Sequence, residues 1–384
     1  MLSDRLHRLH VRASTAQLVT GAALGTLLLI VGVPGGSLTD PRHLDTSCTQ
    51  PVGEPDGPDG WGGCWPGPRT TGVPADTNLT RVPQQARRGP GWEWDSRDRI
   101  LVVDAPDATI TGLDVDGGLY IRGSGVVIQE SRAKFLALDP GGPANFCHPA
   151  ESETIRALTE CTDVPGVSDD AAGASRAEPT VLEDSEIDYH GTPEDPGTCI
   201  TGRNLTVRRT DVSGCENGVD ADSYVTITDS YVHDLYNSAT GDPHTDALQS
   251  GVGAHLVLEH NVFYGFTQGC TYPDDSGSCN GTSAINLGGQ PDESTVQHTL
   301  VRRNLLAGGA YTLYCPTRAP RDFAVRQNWF SSAFSGTADR RTDRRRVGAY
   351  GPAAECGRPG VQATGNELVD PVSGRAVPLT LATG

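Results

Sequence analysis

The sequence predicts an all-β chain folded as a right-handed parallel β-helix, a solenoid of about 8–10 coils with loop insertions. Three observations predict it. A short pattern, apolar–x–apolar–x–x–(Asn/Ser/Thr)–x–apolar, recurs along the chain. The 47 Gly and 27 Pro in 384 residues favour many turns over long helices. The Asn-Gly and Asp-Gly turns that would join paired antiparallel strands are scarce, which argues against a propeller or a sandwich.

Residues 1–40 read as a targeting segment. Arg5, Arg8 and Arg12 precede an apolar run of 16 residues, Leu18 to Val33. That length is long for a signal-peptide core and short for a membrane span, so a signal peptide and an uncleaved N-terminal anchor both fit. Either one exports the remainder of the chain, and the expected location is secreted or at the cell surface. Residues 41–99, rich in Pro, Gly and Asp, read as a linker and cap, and residues 100–384 as the β-helix.

Ten cysteines lie beyond the apolar run and none forms a CxxC pair. An oxidised framework is the expectation, with near neighbours joined: Cys48–Cys64, Cys147–Cys161, Cys199–Cys215, Cys270–Cys279 and Cys315–Cys356. The net charge of −18 opposes phosphate binding and excludes nucleic acid as a natural partner. A monomer touching the membrane only through its N-terminal segment is expected.

The repeat is marked by Ser131, Ser185, Thr210, Ser230, Asn261, Asn304, Asn328 and Asn366, with a weaker first copy near Leu113. Successive copies such as Thr210 and Ser230, 20 residues apart, suit one coil, and the 54 residues between Ser131 and Ser185 suit a coil with an insertion or two coils. Polar side chains stacked at a tight corner are expected to hydrogen-bond along the solenoid as a ladder.

Each coil should also carry an earlier strand whose middle apolar residue points inward: Ile121, Ile200, Val219, Leu248, Ile285 and Leu313. Successive side chains alternate faces, so the next residues form an outward stripe of Arg122, Thr201, Asp220, Gln249, Asn286 and Tyr314. With coils stacked about 4.8 Å apart, this is a continuous polar track, interrupted where a coil is missing between Ile121 and Ile200.

The coil repeat and the strand "HTDALQ" (His244 to Gln249) resemble the pectate-lyase-like superfamily of right-handed parallel β-helices, over about Ile100 to Leu379. The resemblance implies polysaccharide lyase, hydrolase or epimerase chemistry in a groove along the first strand of each coil. Two departures stand out: the arginine motif of pectate lyases and the paired-Asp plus "GHG" set of polygalacturonase-like hydrolases are both missing. "DPH" (Asp242 to His244) is similar to an alginate-epimerase motif, but Ala239 stands where that motif has an aromatic residue.

Asp242 and His244 fall in the loop entering the groove, with Asp246 at the strand entrance and Asp220 and Asp222 one coil earlier. A His among carboxylates titrates near neutrality and serves acid–base chemistry. The leading expectation is a lyase or C5-epimerase acting on a uronic-acid polymer. There His244 is the base, Asp220 and Asp246, counted with it as catalytic, hold a cation, and Arg122, Gln249, Asn286 and Tyr314 bind substrate. Asp220, Asp222 and Asp246 could hold a calcium ion, whose ligands are oxygens. A glycoside hydrolase using paired Asp220 and Asp246 is the first alternative, and a non-catalytic β-helix that binds a cell-surface glycan is the second.

Overall fold

The computed structural model describes residues 48–139, 178–190, 197–236, 244–251, 253–267, 281–288, 296–334, 353–356 and 359–381. The apolar run Leu18 to Val33, Asp242, and Cys147, Cys161, Cys270 and Cys279 lie outside them. No helix among the described residues is long and apolar enough to cross a membrane.

The chain is a parallel β-helix. Three sheets run its length, and each coil crosses them in the same order. The groove sheet takes strands such as Thr198–Gly202, Asn217–Ala221, Asp246–Gln249 and Ser283–Asn286. A second sheet of nine strands takes Leu205–Arg208, Val225–Thr228 and Val257–Glu259. The third takes Asp211–Ser213, Tyr231–Val232 and Val262–Gly265. Coil pairs with coil in parallel and in register, so like residues stack. Ile187, Val212, Val232, Phe263, Leu306 and Phe330 form one inward column of the third sheet. These columns meet in a continuous apolar core. Antiparallel strands close the ends and cover edges that would otherwise invite pairing: Trp92–Asp95 lies against Ile100–Val103, and Arg375–Pro378 against Glu367–Asp370.

The polar corner forms as the repeat predicts. The backbone N–H of Ser230 donates to Asn261 Oδ1 at 2.9 Å, that of Asn261 to Asn304 Oδ1 at 3.0 Å, that of Asn304 to Asn328 Oδ1 at 3.0 Å, and that of Asn328 to Asn366 Oδ1 at 2.9 Å. Each of the four Asn side chains also donates to a core carbonyl, as Asn304 Nδ2 does to Leu258 O at 2.8 Å. All eight ladder residues are buried. The residue before each one has a positive φ, between 47° and 66°: Glu130, Asp184, Arg209, Asp229, His260, Arg303, Gln327 and Gly365. One left-handed residue turns the chain from the second sheet to the third. The side chain after it supplies the hydrogen bonds that the turned backbone cannot make to itself.

Residues 48–72 run as a strap over the outside of the third sheet. The Cys48–Cys64 disulfide closes its loop. Trp65, fully buried, packs against Trp329 (ring centroids 5.5 Å apart) and stacks on His260. Ser331 Oγ donates to Gly53 O, and the Gly72 N–H donates to Arg209 O. His260 lies between Asp229 (2.6 Å) and Asp59 (3.3 Å). Burial alone would lower its pKa, but the two carboxylates outweigh it and hold it at about 9. Disulfides Cys199–Cys215 and Cys315–Cys356 also form as expected, and the three together fit an oxidising compartment.

Two expectations about the groove sheet are corrected. No coil is missing between Ile121 and Ile200, because Phe135–Leu138 supplies a strand that pairs with both neighbours. Arg122 is not in the stripe. Ile200 aligns through Leu136 with Leu119 rather than Ile121, so Tyr120 takes the outward position. The strand Gly118–Ile121 offers two inward apolar residues two positions apart, and its sequence alone does not say which one sets the register.

Asn304→Ala removes the acceptor for Asn261 and the donor for Leu258 O deep in the core. Loss of about 2–6 kcal/mol in urea denaturation is expected, from at least two orphaned groups at about 1–3 kcal/mol each. Ser230→Ala, which strands only the Thr210 N–H, should cost about 1–3 kcal/mol.

Candidate functional site

The outward stripe of the groove sheet runs Tyr120, Ala137, Thr201, Asp220, Gln249, Asn286, Tyr314 and Glu355, each in register with the next. Its first part is apolar and buried, with Tyr120, Phe135, Ile100 and Ala137 clustered beside Tyr189. Polar residues begin at Thr201. Tyr311 and Tyr314 meet edge to face, with ring centroids 5.2 Å apart, at the far end.

A break in alternation builds the acidic part. Ala247 and Leu248 are sequence neighbours, yet both sit in the core. So do Cys199 with Ile200 and Ala284 with Ile285. Gly218 holds the equivalent position before Val219, where a Cβ would lie 2.4 Å from Val232 in the core. Two consecutive inward residues leave the residues on both sides of the pair facing out. The small first member, Cys, Gly or Ala, is what the crowded interior admits. Asp246 therefore shares the outer face with Gln249 instead of pointing inward.

On that face Asp246 is fully buried. Its Oδ1 accepts from Ser283 Oγ at 2.5 Å, its Oδ2 from Asn286 Nδ2 at 3.2 Å, and its N–H donates to Asn217 Oδ1 at 3.2 Å. Burial raises its pKa to about 7, against the pull of the Ser283 and Asn286 hydrogen bonds, with the charges of Asp220 and Glu216 adding to the rise. Asp220, partly exposed, is also raised to about 7. Burial is the main cause, the charge of Asp222 adds, and a hydrogen bond from Gln249 opposes. The two carboxylates are thus linked through neighbouring amides on three adjacent coils, and each is held where it exchanges a proton near neutrality.

Of the other expected residues, Gln249 and Asn286 bond directly to this pair, and Asp222 acts on Asp220 through its charge. His244 is exposed, in the segment leading into Asp246. Asp222 turns to Arg203 (3.3 Å) and caps the Ser223 N–H (2.8 Å). No group of three or more His, Cys, Asp and Glu side chains among the described residues is arranged to hold a metal ion. Arg122 is two residues past the stripe, over the Tyr120 ring and paired with Asp139 and Asp104. Ser283 and Asn217 escape a reading of the sequence because strict alternation puts the strand-entry position inside. The repeated small–large pairs Cys-Ile, Gly-Val, Ala-Leu and Ala-Ile are the available signal. His255 stacks between Tyr224 and His298 on the second sheet's side, away from the groove.

No protein-family model, curated protein or solved structure matches the chain.

Both carboxylates keep protons that the unfolded chain gives up above about pH 4. The native state then binds more protons than the unfolded one between about pH 4 and 7, so this contribution to stability falls as pH rises through that window. Asp220→Asn with Asp246→Asn should flatten the decline of Tm between pH 5 and 7.5, read by circular dichroism, by on the order of 2–4 °C per kcal/mol recovered. The wild-type decline above pH 7.5, where His260 and His233, the latter between Asp211 and Asp234 at 2.9 Å each, lose protons that their carboxylate neighbours hold to about 9 against the effect of burial, should persist in the variant.

Proposed function

We propose that the protein is an exported glycoside hydrolase of the β-helix type, acting on a neutral glycan laid along the groove sheet. The observation that carries this reading is the pair Asp220 and Asp246, two carboxylates on adjacent coils both held near pKa 7. Glycosidic hydrolysis needs one carboxyl that can give a proton to the leaving oxygen and one carboxylate that can assist water or attack carbon. Asp220, at the groove surface, gives its proton to the leaving oxygen. Asp246 is the second carboxylate, and the charge of Asp220 adds to the rise of its pKa.

The composition of the stripe selects the substrate class. From Thr201 to Glu355 it is neutral or acidic, with amides and tyrosines suited to sugar hydroxyls and ring faces. A lyase or epimerase for uronic acids needs positive charge or a cation at the substrate carboxylate, and the stripe supplies no side chain of that sign. The acidic net charge acts in the same direction. A second reading, glycan binding without catalysis, is favoured by the complete enclosure of Asp246. The relationship to pectate-lyase-like proteins belongs to this proposal and rests on the coil architecture and "HTDALQ".

The test is a screen of the purified full chain on neutral and uronic-acid glycans, with and without calcium. New reducing ends from a neutral glycan are expected, with kcat reduced roughly 10²–10⁴-fold in Asp220→Asn and in Asp246→Asn. Ultraviolet absorbance from a new double bond would assign a lyase instead. Glycan binding without any product would favour the binding module.

A further inference from the structure

The second sheet carries an outward trough that the groove chemistry does not use. Two open depressions of about 360 and 240 Å³ lie on its outer face, and Val257 lines both, so they form one run. The floor is Thr206, Thr226, Val257, Leu300 and Ala324, in register on five successive coils. Coils about 4.8 Å apart make it a long, narrow surface parallel to the solenoid axis. One wall is the corner column Tyr224, His255 and His298, whose rings lie 8° and 7° from parallel with centroids 4.6 and 4.9 Å apart. The ring faces cover one another, so edges with hydrogen-bonding atoms line the trough. The other wall is the charged column, where Arg208 meets Glu183, Arg302 meets Glu259 at 2.5 Å, and Arg326 Nη2 donates to Gln362 Oε1 at 2.5 Å. The rings and all of the floor but Ala324 are half-buried, and Arg326, Gln362 and Asp322 are exposed, so a ligand reaches them.

The rings are not what the corner itself asks for. Tyr224 has φ 61°, His255 59° and His298 50°. A left-handed turn suits Gly, Asn and Asp, tolerates His, and is costly for a bulky residue such as Tyr. The same place on neighbouring coils holds Asn204, Asp322 and Gly360, all with positive φ. The rings stand on the three middle coils of the trough. A strained residue that folding would not choose points to function.

We propose that this trough is a second glycan site, which holds a neutral polysaccharide chain along the solenoid axis and does no chemistry. The ligand class rests on the glycan reading above. Charge complementarity selects it: the walls carry Glu183, Glu259 and Asp322 against Arg208, Arg302 and Arg326, so the two signs balance and no net charge awaits an ionic partner. The mostly apolar floor suits the C–H faces of sugar rings, and the ring edges, the Gln362 amide and the guanidiniums suit hydroxyls. A peptide strand fits less well, because it pairs with a free sheet edge, and the backbone groups here are spent on the adjoining coils. Asp220 and Asp246 stand on a different sheet, so the trough acts by keeping polymer at the surface of the protein.

The experiment uses the full chain with Asp220→Asn and Asp246→Asn as parent, so that glycan is not consumed. One variant adds Tyr224→Asn/His255→Asn/His298→Asn, which gives the corner the residue already present at Asn204. The other adds Leu300→Glu, which puts an unpaired charge on the floor. Each is run in affinity electrophoresis with soluble xylan, glucomannan, mixed-linkage β-glucan and polygalacturonate, beside a circular-dichroism check of folding. Both should fold, since Asn is at home in a left-handed turn and position 300 lies on the outer face. At least one neutral glycan should retard the parent, with affinity about 5- to 30-fold lower in both variants, and polygalacturonate should not. In the wild-type background the same changes should raise KM for the polymer more than they lower kcat. A folded variant of either kind retarded as strongly as the parent overturns the inference. So does a parent that no neutral glycan retards, or one that polygalacturonate retards through these residues. Retardation that depends on the trough, with no hydrolysis by wild type, refutes the hydrolase reading and leaves this site standing. Hydrolysis with retardation that neither variant weakens does the reverse.

Discussion

The buried corner ladder is the constraint on which the rest of the structure depends. A parallel solenoid must turn its backbone sharply at each coil, and a turned backbone inside an apolar core has groups with no partner. Asn261, Asn304, Asn328 and Asn366 answer this by bonding along the axis to one another and inward to the carbonyls of Ile227, Leu258, Val301 and Val325. Because each Asn needs the next one at the same height, the ladder fixes the register of all three sheets at once. A slip by one residue would strand every amide in the stack as well as reversing the faces of the strands. The groove sheet inherits its alignment from a corner on the far side of the coil.

Given that register, the site arises from one local departure. Strict alternation would put Asp246 in the core, where a lone carboxylate is costly. The doubled inward pair Ala247 and Leu248 moves it to the outer face, among Ser283, Asn286 and Asn217. The same doubling at Cys199–Ile200, Gly218–Val219 and Ala284–Ile285 keeps four coils in step, so the departure is a property of the sheet segment and not of one strand. Polar columns then stand on both sides of the doubled pair, and amides from one coil reach carboxylates of the coil before.

The repeat is readable in the sequence because its signal is long and redundant: eight polar marks with apolar residues at fixed offsets define corner, strands and core together, and near-neighbour spacing suffices for the three described disulfides. What stays hidden is where local pattern is ambiguous. Leu119 and Ile121 are equally apolar and both inward, so the sequence points the stripe at Arg122 instead of Tyr120. Phe135–Leu138 is not legible as a groove strand because its outward residues, Phe135 and Ala137, are apolar, and a run apolar on both faces has no period of two. Asp220, Gln249, Asn286 and Tyr314 can be read onto one face because each directly succeeds an unmistakable core residue. The partners of Asp246 cannot, since they depend on contacts between residues 37 and 40 positions apart in the chain.

Two neighbouring carboxylates raised to about 7 weaken the native state wherever they ionise, and nothing in the packing of the groove sheet requires acids there. Thr201, Gln249 and Asn286 show that neutral residues fit the column of Asp220, and Asn217 and Ser283 show the same for the column of Asp246. A solenoid tolerates such a cost because its stability is approximately a sum over coils and their interfaces. The corner ladder and the Trp65 strap both lie outside the groove sheet and act over several coils. Destabilising groups can therefore be concentrated on one face without loosening the register that positions them. The face that holds the unfavourable charges and the doubled strands is also the face whose local chemistry departs most from what folding alone would select. That coincidence is the physical ground for placing catalysis there rather than on the well-paired Arg and Glu columns of the second sheet, where Arg208 meets Glu183 and Arg302 meets Glu259.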